Sequence, residues 1–303
     1  MAEEAGVTMP AKHRVWRRIG RVMWKISRIL LIVYLVAGLV LALLQKKLIF
    51  VGAETRGTAA SNVSPPAGSE LVKLRTPDGT PIVGLFGKAT DNTADTAKAP
   101  TVLWFYGNAM CMNDALEEFK LFRRLGANVM LVDYAGYGMS GGNASEQGCY
   151  NAAEAAYQHL LTRPDIDHAK IVSAGWSLGG AVAIDLAVRH AEEGHICGVM
   201  TFCTFTSMAE MGQYHYPILP VWLMLTERFE SEGKMAKIHV PVLMGHGCRD
   251  SIVPFGMCER LAKAADGKVT RFQCAGADHN DFFDVAADDV EREVGKFLRS
   301  LRS

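Results

Sequence analysis

The stretch that most constrains this chain is Ile171-Val-Ser-Ala-Gly-Trp-Ser-Leu-Gly-Gly180. A short run rich in β-branched residues ends at Gly175, and a helix-forming run from Ala181 to Arg189 follows Gly180. Between them lies Gly-x-Ser-x-Gly. A strand-to-helix turn this tight leaves no room for side chains at the two outer positions, so glycine is needed there. The turn lifts Ser177 clear of a sheet, with the start of a helix behind it. The pentapeptide alone also fits a glycine-flanked serine in an ordinary turn. Its place between a strand and a helix makes the stronger case.

The rest of the chain supplies the matching alternation. Strands are expected at 101–106, 128–132, 170–174, 198–202, 240–245 and 269–272. Helices are expected at 112–125, 145–161, 178–191, 256–263 and 285–301. Such alternation predicts an α/β fold, a mostly parallel sheet flanked by helices on both faces. Leu71–Arg75 and Ile82–Phe86 alternate around Thr76-Pro-Asp-Gly79, which reads as a hairpin extending one sheet edge with antiparallel strands. The catalytic domain is placed at 70–303. Residues 48–69, rich in Gly, Ser and Pro, read as a linker without core, so a chain starting near Ser69 is expected to stay soluble and active. Residues 88–99 are again loop-like.

Formal net charge is zero, but unevenly spread: residues 1–51 carry net +7 and the remainder net −7. An acidic catalytic part argues against nucleic acid as a partner. The basic end points to a membrane. Lys12, Arg14, Arg17, Arg18, Arg21, Lys25 and Arg28 precede an uncharged run from Ile29 to Leu44, which Lys46 and Lys47 close. Sixteen helical residues span about 24 Å, and flanking Lys and Arg snorkel to cover the remainder of a bilayer core of about 30 Å. Gln45-Lys-Lys-Leu offers no small-residue cleavage site, which favours an uncleaved anchor at 29–47 over a removed signal peptide. With the basic excess before the span, residues 1–28 are expected to be cytoplasmic and the catalytic domain extracytoplasmic.

A serine hydroxyl is a weak nucleophile, so a base must take its proton and a third group must hold that base. His246-Gly-Cys-Arg-Asp250 follows one apolar strand and Cys274-Ala-Gly-Ala-Asp-His279 follows the last expected strand. In a parallel sheet the loops after strands gather on one edge, where Ser177, Asp250 and His279 can meet. Asp278 and Asp281 are rival acids, and His246 is a rival base. For an oxyanion, the expected donors are the backbone N–H groups of Leu178 and Asn108, with Ala109 in reserve. Seven cysteines without a Cys-x-x-Cys spacing speak against a zinc or redox site and for buried thiols, with one or two disulfides open in an oxidising compartment.

These pieces carry a resemblance. Gly107-Asn-Ala109, Asp133-Tyr-Ala-Gly-Tyr-Gly138 with Ser140-Gly141, Gly175-Trp-Ser-Leu-Gly179, His246-Gly-Cys-Arg-Asp-Ser-Ile-Val-Pro254 and Asp278-His279 stand in the order found in membrane-anchored serine hydrolases of the α/β-hydrolase superfamily. The chain is similar to the "alpha/beta hydrolase domain-containing" branch. Two positions depart: Tyr106 stands where the branch usually has His, and Ala135 where it has Arg. The resemblance implies hydrolysis of esters, thioesters or lipids, without metal or organic cofactor. Acyl transfer or peptide hydrolysis with the same triad is the alternative, and a non-catalytic binding or scaffold protein is the alternative of another class. In that superfamily the position of residues 207–238 resembles a lid. The run 218–225 holds more apolar side chains than one buried face needs, so Trp222 and Leu223 are expected, with Tyr106 and Trp176, to face a lipid-like small-molecule substrate.

Overall fold

The computed structural model describes residues 11–90 and 96–302, with side chains from Trp16 onward. Residues 1–10, the side chains of Lys12 and Arg14, and residues 91–95 of the expected loop lie outside them. The chain divides into two units, Met1–Gln45 and Lys46–Ser303.

Helix α1, Ala11–Ile49, supplies the described part of the first unit, and its last residues, from Lys46 on, belong to the second. Its stretch Trp16–Ile49 is long and apolar enough to cross a membrane by length and composition. The helix is longer than the expected span because the basic run from Arg17 to Arg28 holds no helix breaker except Gly20 and continues the same helix.

The second unit is built on one eight-stranded sheet. Its strands are β1 Ser69–Arg75, β2 Pro81–Gly87, β3 Thr101–Phe105, β4 Asn128–Val132, β5 Ile171–Trp176, β6 Ile196–Phe202, β7 Val242–Gly247 and β8 Val269–Cys274. They lie in the order β1-β2-β4-β3-β5-β6-β7-β8. β1 and β2 form the antiparallel hairpin, β2 runs antiparallel to β4, and every later pairing is parallel. The helices are α2 Leu116–Arg124, α3 Glu146–Thr162, α4 Leu178–Arg189, α5 Met208–His215, α6 Val221–Met224, α7 Glu232–Met235, α8 Phe255–Ala264, α9 Phe282–Val285 and α10 Ala287–Ser300. Strands β3, β4 and β7 are buried from end to end, which explains their unbroken apolar sequences: helices cover both faces.

Two expectations need correction. Residues 112–115 form turns rather than the first turn of a helix, because the Asp114 carboxylate accepts from the N–H of Cys111 and closes a local loop. The segment before β1 is no free linker. Ile49, Phe50 and Val63 are buried in the core of the catalytic unit, and Phe50 packs on Phe229 with ring centroids 6.1 Å apart. Gly57 N–H donates to Gly138 O, Gly138 N–H donates to Thr55 Oγ1, and Arg56 donates to Gly142 O. Its Gly, Ser and Pro content gives irregular backbone, but irregular backbone fixed by apolar anchors belongs to the domain.

Candidate active site

Ser177 sits between β5 and α4 with φ 55° and ψ −117°, a conformation costly for any residue with a Cβ. The turn is held closed by Ser177 N–H donating to Phe202 O at 2.8 Å and Gly180 N–H donating to Ser177 O at 3.0 Å. The need for glycine on both sides is concrete. A Cβ on Gly175 would strike the Gly179 backbone, and one on Gly179 would strike the carbonyls of Phe105 and Tyr106. The expected reason for Gly-x-Ser-x-Gly is therefore the one found.

Three chain segments converge on this serine. His279, in the turn after β8, places Nε2 3.0 Å from Ser177 Oγ. Its Nδ1 lies 2.7 Å from Asp250 Oδ2, in the loop after β7. The other carboxylate oxygen, Oδ1, accepts from the N–H groups of Val253 at 2.6 Å and Ile252 at 3.0 Å. The Asp250 side chain is fully buried. Burial alone raises a carboxyl, but bonds from His246, His279 and the Val253 N–H outweigh it and hold Asp250 well below the usual carboxylate range. An ionised Asp250 only accepts, so Nδ1 of His279 donates and Nε2 is left as the acceptor for the serine hydroxyl. The Trp176 ring stacks on His279 with centroids 5.5 Å apart, and Gly107 leaves space for that ring, since a Cβ there would come 2.9 Å from it.

The rivals are placed elsewhere. Asp278 accepts from Ser251 N–H and His279 N–H, each at 2.7 Å, and so bonds the histidine backbone rather than the ring. Asp281 Oδ1 accepts from the Asp278 N–H. His246 is wholly buried in β7 and its ring faces Asp250, not Ser177. Leu178 begins α4, and neither its N–H nor that of Asn108 has a backbone acceptor among the described residues. Ala109 N–H donates to Asn108 Oδ1 at 2.9 Å, which leaves it no hand in an oxyanion site. The Asn108 side chain is spent on the scaffold: its Nδ2 donates to Ile49 O, and its Oδ1 accepts from Tyr137.

The other three residues expected at the substrate differ in their surroundings. Tyr106 is completely buried, its hydroxyl donating to Asp133 Oδ1 at 2.8 Å. Asp133 also accepts from Met112 N–H and Met139 N–H, so it ties the loops after β3 and β4 together, and Tyr106 supplies the third bond. Trp222 and Leu223 on α6 are 58% and 65% exposed; Val221 takes the inward position of that short helix. The return leg of the insertion is pinned instead: Glu146 accepts from the N–H groups of Arg228 and Phe229, and Glu227 pairs with Lys46 at 3.3 Å.

Cys203, at the end of β6 with φ 48°, lies within 4.8 Å of ligating atoms of both Asp250 and His279. Burial pushes its thiol far up, so it stays protonated there. Sequence reasoning passed over it, as it passed over His246 as a partner of Asp250; the four-residue spacing from His246 to Asp250 across a strand end was the available signal. All seven cysteines are free.

No family-wide sequence profile matches the chain. It is 36% identical over 237 residues to the uncharacterized protein Rv2307c of Mycobacterium tuberculosis, covering 78% of this chain and 81% of the relative. It is 32% identical over 250 residues to the alpha/beta hydrolase domain-containing protein WAV2 of Arabidopsis thaliana, covering 76% of this chain and 79% of the relative. Among solved structures it resembles the Pyrococcus furiosus esterase Pf2001 with a TM-score of 0.62 at 20% identity, over 78% of this chain and 92% of that one. That last likeness concerns the fold alone. With sequence identity of this extent to WAV2, the chain belongs to the α/β-hydrolase domain-containing proteins.

Proposed function

We propose that this protein is a serine hydrolase of carboxylic esters or thioesters with an apolar acyl part, held at a membrane by α1. The observation that carries the reading is the hydrogen-bonded line from Asp250 through His279 to Ser177. His279 Nε2 takes the hydroxyl proton as Ser177 Oγ attacks the acyl carbon, and Asp250 steadies the imidazolium that forms. The N–H groups of Leu178 and Asn108 receive the oxyanion. His279 then returns the proton to the leaving alcohol or thiol, and water activated by the same ring releases the acid from the acyl-enzyme. The named esterase among the structural neighbours agrees with ester chemistry.

The membrane part of the reading rests on Trp16–Ile49 and on the apolar side chains of the insertion. The basic run before Ile29 orients the N-terminus to the cytoplasm and the hydrolase unit to the other side. A fluorophosphonate probe applied to the full-length protein in membranes tests the chemistry: labelling at Ser177, lost in Ser177→Ala, is expected. A panel of acyl esters of rising chain length then reports the acyl preference, and labelling by a membrane-impermeant probe on sealed vesicles reports the side. Undiminished turnover in Ser177→Ala removes the proposal.

A further inference from the structure

The Asp250 carboxylate has two imidazole neighbours, and the reaction just described uses one. His246 Nε2 stands 3.3 Å from Asp250 Oδ2, the same oxygen that faces His279. That nitrogen also stands 3.0 Å from the carbonyl of Val253. A carbonyl and a carboxylate both only accept, so Nε2 of His246 carries a proton and shares it between them. Val253 donates its own N–H to the opposite carboxylate oxygen. His246 and Val253 thus hold Asp250 from both sides, and each is bonded to the other. The ring is fully buried and sits edge-on to Phe255 at 5.7 Å, so it has no freedom to turn toward solvent.

We infer that His246 is a positioning residue for the proton relay: its Nε2–H fixes which oxygen of Asp250 meets His279 and withdraws part of the negative charge that Asp250 passes on to that ring. The inference rests on the serine-hydrolase reading. The charged and titratable groups around His246 are few and can be named. Asp250 faces it from the loop after β7, and Cys258 from α8. Cys203 from the end of β6 and His279 from the turn after β8 stand at the same carboxylate. Asp278 lies beyond Ser251. Burial works against a charge on His246, yet the pairing with Asp250 outweighs burial and lifts its pKa to about 9. The ring therefore keeps its donor role throughout the range in which a serine hydrolase works.

The physical consequence has a definite sign. A carboxylate that already receives a proton-bearing partner is a weaker base toward a second one. Taking that partner away makes Asp250 stabilise the protonated His279 more strongly, so the base stays protonated to higher pH. It also removes one of the bonds that hold the carboxylate in place, which lowers turnover without touching the acyl site.

The experiment compares full-length wild type with His246→Leu and His246→Gln, using a soluble short-chain ester across pH 5 to 9. In His246→Leu, kcat is expected to fall about tenfold or more with KM unchanged, and the acid limb of the kcat profile is expected to move up by about one pH unit. In His246→Gln, whose amide N–H can replace the donor, the limb is expected to return toward its wild-type place. A leucine variant that keeps the wild-type limb while losing only thermal stability makes His246 a packing residue and overturns the inference. Should the leucine variant fail to fold, the glutamine variant decides: a limb displaced as far as one unit there overturns it, and a limb near wild type upholds it. Ser177→Ala run alongside reports on the hydrolase reading by itself, since its survival would remove that reading whatever the histidine variants do.

Discussion

Two segments leave the same end of the sheet and meet opposite fates. The loop after β7 is short and closely bonded around one buried carboxylate: both oxygens of Asp250 are engaged, and Ser251 is tied to Asp278 across to the turn after β8. The insertion after β6 is long, and its middle turns Tyr214, Tyr216, Trp222 and Leu223 outward. The difference teaches how a parallel sheet divides labour at its carboxyl edge. A charge that must be buried has to be satisfied by many bonds, which leaves its loop a single arrangement. Apolar side chains impose no such directional demand, so the neighbouring insertion is pinned on its return leg, through Glu146 and Glu227, while its middle faces outward.

The change expected to weigh most breaks the first segment's purpose. Ser177→Ala should cost on the order of four or more decades in ester turnover with the fold intact, measured by kcat/KM and circular dichroism. Next comes the comparison of two acids. Asp250→Asn should cut kcat by several decades, about 10⁴-fold where such an orienting acid has been removed, while Asp278→Asn should cost less than about tenfold, because it bonds the backbone of His279 and not its ring. Equal losses would show that the loop works as one bonded block rather than through one carboxylate.

A third test concerns a buried carboxylate that lacks what Asp250 has. Glu118 at the start of α2 has an unbonded Oε2, and burial, with the charges of Glu117 and Asp284, raises its pKa to about 7. The folded chain therefore holds a proton there that the unfolded chain releases above about 4.5, and stability falls as pH rises from 4.5 toward 7. Glu118→Gln should raise stability at pH 8 by up to about 3 kcal/mol and leave it unchanged at pH 4, read from denaturant midpoints. The smallest effect belongs to the insertion. Trp222→Ala should leave acetate-ester turnover within about twofold and stability within about 0.5 kcal/mol, while lowering activity on long-chain esters presented in vesicles. A loss at every chain length together with a lower Tm would mean that Trp222 packs on the core after all.

Much of the architecture was legible because buried parallel strands write themselves as unbroken apolar runs, as Val-Leu-Trp-Phe in β3 and Val-Met-Leu-Val in β4 do. Ser177 and Asp250 stood out for a related reason: each follows an apolar strand, while His279 follows the last expected strand, and strand ends share one edge. What stayed hidden depended on direction rather than position. Composition cannot say that Phe50 and Val63 turn inward from a Gly- and Ser-rich stretch, or that Trp222 turns outward while Val221 turns in. Nor can it say that the hydroxyl of Tyr106 spends itself on Asp133, since an aromatic at that position fits a core as well as a pocket.

The bond from Asn108 to the carbonyl of Ile49 gives the chain a property that no catalytic residue confers. The loop that would cradle the reacting oxygen hangs from the very residues through which the chain arrives in the domain. Cutting between Ile49 and Ser69 would not liberate a working enzyme; it would strip Phe50 from the core, unhook that loop and leave the serine beside a slack cradle. A chain beginning at Ser69 should accordingly lose several kcal/mol of stability, at about 1.5–3 kcal/mol for each large apolar side chain withdrawn. On the proposed reading, a soluble active form is expected only from a cut upstream of Lys46.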